Sequence, residues 1–373
     1  MIYLDYAATT PIDEQVFDSY FKLLKNYFAN SASIHKMGLR ANEFLNAARE
    51  SIAGLIEVEK EEVIFTSGAT ESNNLAIMGS KRNGKWEYVF SEGEHPSVYN
   101  VAKELENNGF TVHFVKLQKN GQVDYGGLEK VLNEKTRFVS VMHVSNETGA
   151  VNDIKRISNL RNKFAPKALL HVDGVQAFCK LNFSLEGLGV DFYTISAHKF
   201  HGPKGVGALY VRDFNCLKPV VFGGGQENGY RSGTENVAGI MAMAYAIDNI
   251  NIAQNYDHVL KLYKQMQSVL DRDEKVHVHV YDGSPYILNA WFEGVNAETL
   301  VRALHDQGVL IGKGSACSSK KSGNRILESI GFDKDQIKSH ARISFSDFNT
   351  LQEVRKAGEI ILSVYNQIRE KVQ

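Results

Sequence analysis

The chain is poor in cysteine, with three thiols, Cys179, Cys216 and Cys317, in 373 residues. That makes no disulfide framework, and the three lack the paired spacing of a zinc site, so no metal is expected. A reducing, cytoplasmic setting is the expectation. Charge of one sign is lacking too. Lys and Arg number 42 against 43 Asp and Glu, and a net charge of −1 gives no footing for nucleic acid or an anionic membrane surface. Long hydrophobic runs are missing. The most apolar stretch, IMAMAYAI, is stopped by Asp248 far short of a bilayer's span. The opening MIYLDYAATT has no basic segment and carries Asp5, so no signal peptide is expected there. No repeat, low-complexity tract or Pro/Ser linker divides the chain. The P-loop pattern GxxxxGK[ST] is also absent, which argues against a nucleoside triphosphate.

What is present is glycine, 31 residues, clustered where short apolar runs give way to helical ones. EEVIFTSGATESNNLAIMGSK and WEYVFSEGEHPSVYNVAKELENNG both read as strand, turn, helix. RFVSVMHVSNETG, ALLHVDGVQ, DFYTISAHK and GALYVRD supply further strands. Such runs predict an α/β fold with a mostly parallel sheet covered on both faces. One long helix is expected from about Glu235 to Leu270, leading into a second region. That region has strands at VHVHVY and YILNAWFE, a helix capped by Asn296, and an amphipathic C-terminal helix capped by Thr350 or Asn349. The chain is too long for one ordinary core. The expected division is an N-terminal arm (1–12), a large domain (13–250) and a small C-terminal domain (251–373) carrying Cys317.

SAHKFHGPKG places Lys199 directly after a predicted strand, between His198 and His201. Asp173 closes another strand, LLHVD. Open α/β sheets bind ligands at the carboxyl ends of their strands, so the two groups are expected to converge there. A lysine and a carboxylate so placed suit pyridoxal 5′-phosphate: the lysine forms a Schiff base and the carboxylate keeps the pyridine nitrogen protonated. TSGATESNN offers a phosphate cradle, with Gly68, Ala69, the Thr70 hydroxyl and the open start of a helix, or else an ordinary capped turn. His95 in SEGEHPSV either stacks on a cofactor ring or caps a loop. Arg231 and Thr234 in RSGTENV either bind an anion or belong to a surface loop. Arg342, beside Ser344 and Ser346, either forks onto a substrate carboxylate or makes a structural ion pair.

Taken together, YLDYAATTP, FTSGATESNN, EHPSV, SNETGA, HVDGVQA, SAHKFHGPKGVGALY, GGGQE, RSGTENV, GSACSS and ARISFS resemble the cysteine desulfurases. These are pyridoxal-phosphate enzymes of fold type I, the aspartate aminotransferase-like class V group. GSACSS looks like group I of that family, whose active Cys rides on a long loop. The resemblance implies that Lys199 is the Schiff-base lysine and proton shuttle, that His95 stacks on the ring, and that Asp173 and Gln176 meet the pyridine nitrogen and the phenolic oxygen. It further implies phosphate binding by Thr70, Ser196, His198 and the Ala69 N–H. Thr234 would reach the phosphate of the other subunit of a homodimer. Asn146, Arg342 and Asn30 would hold L-cysteine, and Cys317 would take its sulfur as a persulfide for delivery to an acceptor, in iron–sulfur cluster assembly or tRNA thiolation. A selenocysteine lyase or a class V aminotransferase is the alternative. NSASIH lacks the proline of the family's NPSSxH segment, and SSKKSGNRIL replaces its usual stretch after the Cys, with Lys320 and Lys321. Cys179, where relatives often carry Gly, reads as a packed thiol, and Cys216 as structural.

Overall fold

The computed structural model describes residues 1–279, 283–314 and 324–372. Strand β1 (Ile2–Leu4) and helices α1 (Glu14–Asn26) and α2 (Lys36–Ile56) come first. Strand and helix then alternate: β2 (Val63–Thr66), α3 (Ala69–Ser80), β3 (Glu87–Ser91), α4 (Pro96–Asn107), β4 (Thr111–Val115), α5 (Tyr125–Val131), β5 (Thr136–Met142), α6 (Ile154–Phe164) and β6 (Leu169–Asp173). Strands β7 (Phe192–Ser196) and β8 (Gly207–Val211) are followed by helices α7 (Val237–Asp248) and α8 (Ile252–Leu270). The remainder holds β9 (Val276–His279), β10 (Ile287–Phe292), α9 (Ala297–Asp306), β11 (Val309–Ile311), α10 (Arg325–Ile330), α11 (Lys334–Lys338), β12 (His340–Ser344) and α12 (Leu351–Val372).

Among the described residues a seven-stranded sheet runs in the order β2-β8-β7-β6-β5-β3-β4. Its pairs are parallel except those made by β8, which is antiparallel to both neighbours. Alternate strand residues point to opposite faces. Phe138 and Leu169 therefore join Leu75, Tyr88, Phe90 and Val98 in one buried cluster. Val139 and Leu170 join Ile52, Ile56, Ile157 and Ile240 in the other. Both faces being covered explains why LLHVD is an unbroken buried run. The apolar α7 is buried nearly all round, which is the reason for IMAMAYAI.

A separate core forms from Leu262, Met266, Leu288, Leu300, Ile343 and Ile361, and Leu4 of the N-terminal arm belongs to it. That arm enters through β1, which pairs in parallel with β11. Beside it lies the antiparallel sheet β12-β10-β9. The expected single helix from Glu235 to Leu270 is instead two. Asn249 closes α7, and Asn251 opens α8 by accepting the Gln254 N–H. Asn side chains compete for backbone groups, and the NIN run breaks a helix that apolar periodicity alone would continue. The C-terminal cap is Thr350, whose hydroxyl accepts the Glu353 N–H at 3.1 Å while Glu353 accepts the Thr350 N–H at 2.9 Å.

Candidate active site

The parallel strands β3, β5, β6 and β7 and the flanking β2 all end at one edge of the sheet. Thr66 and Ser196, the last residues of β2 and β7, both lie opposite Gly207, the first of β8. Asp173 closes β6, and Lys199 sits one short turn beyond β7. The chain turns here under tight constraint. A Cβ on Gly207 would stand 2.6 Å from the Gly68 Cα and from the Ile195 carbonyl, and one on Gly174 would enter the Tyr193 ring. Only glycine lets the backbones pass this closely.

Lys199 is half-buried, and its Nζ donates to the carbonyls of Ala7 and Ala8 at 2.7 and 2.8 Å. Gln176 shares that acceptor, its Nε2 donating to Ala7 O at 2.9 Å. Its Oε1 accepts from Lys180 Nζ at 2.9 Å, which fixes the orientation of the amide. Burial, reinforced by Lys199, pushes Lys180 down to about 7. Asp173 is buried: Oδ1 accepts the Val175 N–H and Oδ2 accepts from Asn73 at 3.0 Å. His95 caps α4, and its Nδ1 faces the Ser97 hydroxyl at 2.8 Å. Burial lowers its pKa; Asp173 opposes this, while Lys199 and Arg325 add to it.

The start of α3 forms the cradle. Gly68, at φ +146°, occupies the N-cap without a side-chain cap, so the first N–H groups of a twelve-residue helix stand uncapped by it. Ala69 and Thr70 are the first two residues of that helix, and the buried Ser196 lies alongside Gly68. His198 Nδ1 meets Thr9 Oγ1 at 3.1 Å, and burial, with nearby Lys199 and Lys204, pushes it down to about 4, so the ring is neutral. Arg231 does not keep its fork for a ligand. It is spent on Glu71, at 2.6 and 3.1 Å. Burial alone would raise Glu71, but the bonds from Arg231 and Ser67 hold its carboxyl below the usual range. Thr234 stands exposed on the same segment.

Asn146 and Arg342 are brought together. Arg342 Nη1 donates to the Asn146 carbonyl at 2.8 Å, and Nη2 to Asp5 Oδ1 at 2.9 Å. Of the two readings of Arg342, the ion pair with Asp5 is therefore present. Arg342 Nε and Asn146 Oδ1 are buried without a hydrogen-bond partner among the described residues, so both still have capacity for a ligand. Asn30 is not joined to this pair. It is exposed between α1 and α2, and its Oδ1 accepts the Ala32 N–H. Cys317, Lys320 and Lys321 lie outside the described residues. The residues flanking that segment, Gly314 and Asn324, both come up to the buried Glu147. Cys179 is buried with φ +62°, and Cys216 is half-buried beside Asp213. Among the described residues no cluster of His, Cys, Asp or Glu could hold a metal, and no helix is long and apolar enough to cross a membrane.

A lysine, a buried carboxylate, a neutral imidazole and an uncapped helix N-terminus at one sheet edge fit pyridoxal 5′-phosphate. The chain matches the class-V aminotransferase family over residues 2–356. It belongs to that family. Pyridoxal 5′-phosphate is the family's cofactor, and this class-V chain depends on it. It is 36% identical over 379 residues to cysteine desulfurase IscS 1 of Archaeoglobus fulgidus, covering 99% of this chain and 98% of that one. A solved NifS-like protein superposes with a TM-score of 0.92 at 32% identity, over 98% of this chain and 99% of its own. The structure of SspA in complex with cysteine gives 0.84 at 30% identity, over 94% and 100%.

Sequence reasoning missed Asn73, Ser97, Lys180, Glu147 and Asp5 as parts of the site. All but Lys180 sit inside motifs quoted for other residues, and Lys180 follows one; their roles come from partners distant in the chain.

Proposed function

We propose that this class-V enzyme is a cysteine desulfurase, converting L-cysteine to L-alanine and passing the sulfur to an acceptor. The observation that carries the reading is the meeting of Lys199, Asp173 and His95 at one sheet edge, in a chain alike over nearly its whole length to a cysteine desulfurase. Bound through Lys199, pyridoxal phosphate supplies an electron sink for the substrate's Cα. Asp173 would hold the pyridine nitrogen, Gln176 would donate its second amide proton to the phenolic oxygen, and Ala69, Thr70, Ser196 and His198 would hold the phosphate. Arg342 and Asn146 hold the substrate's amino-acid end, the Arg342 Nε as a donor and the Asn146 Oδ1 as an acceptor. Lys199 moves the Cα proton. The Cys317 thiolate forms a bond to the substrate sulfur as the substrate's Cβ–S bond breaks. The carbon left behind takes up a proton and departs as alanine, and the sulfur stays as a persulfide.

The test is Cys317→Ala. It should keep the yellow cofactor absorbance while sulfide release from L-cysteine falls at least about 10³-fold. Undiminished sulfide release would end the proposal.

A homodimer is part of the reading. On α1, Phe17, Phe21 and Leu24 face outward, with Phe28 just beyond, while Val16 and Leu23 face the core. Phe21 is 63% exposed, and Phe222, beside the RSGTENV segment, 81%. A surface this apolar on a globular chain requires a cover. A second copy supplies it and places Thr234 near the partner's phosphate. Phe21→Asp should yield monomers in sedimentation velocity; an unchanged dimer would count against this face.

The separate cores support a large domain (13–250) and a small domain (251–373), with the arm (1–12) contributing Ile2, Leu4 and Ala7 to the core of the small one. The persulfide acceptor is a thiol-bearing protein such as an iron–sulfur scaffold or a tRNA-thiolating enzyme in the cytoplasm.

A further inference from the structure

Behind His95 lies a branched chain of hydrogen bonds whose directions follow from Asp173; on its side branch His171 Nε2 also meets Thr194 Oγ1 at 3.2 Å. Asn73, fully buried, is the centre. Its Nδ2 lies 3.0 Å from Asp173 Oδ2 and 2.8 Å from Ser97 Oγ. Asp173 accepts on both oxygens, the other taking the Val175 N–H. A carboxylate cannot donate, so the amide nitrogen of Asn73 must face it. The Asn73 oxygen then faces His171 Nε2 at 3.1 Å, which must carry a proton. His171 Nδ1 in turn accepts from the Ser140 hydroxyl at 2.8 Å. Burial pushes His171 down to about 3, so this ring is neutral, as that pattern requires.

The same amide nitrogen, having no lone pair to offer, donates its second proton to Ser97 Oγ. The hydroxyl proton of Ser97 is then left for His95 Nδ1, 2.8 Å away. The Ser97 backbone N–H points at that atom too, at 3.2 Å. With two donors converging on it, Nδ1 is an acceptor. A neutral imidazole has one proton, which therefore sits on Nε2. The charged and titratable groups facing this ring are Asp173, Lys199 and Arg325, with His198 further along.

We propose that Asn73 and Ser97 are positioning residues that fix His95 as the Nε2–H tautomer, so that His95 meets the substrate as a proton donor and not as a base. Asp173 is the origin of the chain: through Asn73 and Ser97 it sets the proton on His95, and the same carboxylate would hold the pyridine nitrogen of the bound cofactor. Only the role toward substrate rests on the cofactor reading above; the tautomer stands on the protein alone. One consequence follows for the reaction. Nε2 of the resting ring has no lone pair free, so a substrate or enzyme thiol must lose its proton elsewhere.

The test is 15N NMR of full-length holoenzyme labelled at histidine, with His95 assigned by difference against His95→Asn. Wild type should show a pyrrole-type Nε2 and a pyridine-type Nδ1. Ser97→Ala should shift the tautomer ratio toward Nδ1–H by about 3- to 10-fold, the worth of one hydrogen bond, and Ser97→Thr should restore it. Asn73→Leu should act in the same direction as Ser97→Ala, because Ser97 Oγ then loses the donor that leaves its own proton for His95. Should that variant fail to fold, the Ser97 pair decides alone. An Nδ1–H tautomer in wild type, or a ratio unmoved by Ser97→Ala, overturns the proposal. Sulfide release from L-cysteine is assayed in parallel on the same samples. Its absence in wild type would refute the desulfurase reading and leave the tautomer result standing.

Discussion

Lys199 is defined by what it holds in the absence of substrate, two backbone carbonyls of the N-terminal arm. Both carbonyls accept from the ammonium and hold Nζ at the sheet edge beside the cradle. Lys199→Ala should abolish borohydride fixation of the cofactor and lower sulfide release by about 10²–10⁴-fold or more, as loss of a proton-transferring group does. Arg342 is differently placed, its Nη2 engaged by Asp5 and its Nε open. Arg342→Lys keeps the charge but loses the planar fork. The KM for L-cysteine should rise about 10- to 100-fold with a smaller change in kcat, measured by alanine formation. At this scale the sequence was readable where residue type and strand-end position coincide, as for Lys199, Asp173 and His95. It was unreadable for Asn73 and Lys180. An asparagine in a helix or a lysine after a turn does not disclose which way an amide points, and the Asn73–Asp173 bond spans 100 residues.

Elements bring these residues together by ending at a common edge. The crossing of β8 past the start of α3 is the tightest point, with Gly207 against Gly68. Gly207→Ala should cost about 1–3 kcal/mol in urea unfolding, because backbone and not a flexible side chain stands in the way. It should also weaken pyridoxal phosphate binding, read by fluorescence titration, since the displaced partner is the cradle's own N-cap. Wild-type affinity in that variant would show that the cradle tolerates a shift. Strand and helix alternation was legible because buried parallel strands are short apolar runs. The break between α7 and α8 was not, since it depends on two asparagine caps within an otherwise continuous pattern. The antiparallel sense of β8 was also hidden, for a strand's direction leaves no trace in its composition.

Over the whole molecule, burial has stored a set of neutral histidines. His143 and His279 are each pushed down to about 4 by burial, His279 with a push from His340, and His171 to about 3. In the unfolded chain each titrates near 6.5, so between about pH 6.5 and 4 the unfolded state binds more protons and stability falls as pH falls. His171 alone should remove about 2 kcal/mol between pH 7 and pH 5. Glu94 and Asp191, raised chiefly by burial, work in the opposite direction. Denaturant midpoints should therefore drop from pH 7 to pH 5, and drop further in Glu94→Gln; a flat profile in both would contradict these assignments. The arm joins the two ends of this molecule. Ile2 pairs with Val309, Asp5 holds Arg342, and Ala7 and Ala8 hold Lys199. On a ribosome adding ~5–20 residues per second, Val309 emerges roughly 15–60 s after Ile2. Until then β1 has no partner strand, and the arm that receives Lys199 is held only by its bonds to the segment after β7, such as Thr10 to the His198 carbonyl. The sheet edge that carries Asp173, Lys199 and the cradle is complete in sequence by Val211, so the arm's strand partner and Arg342 are the last parts of the site to leave the ribosome.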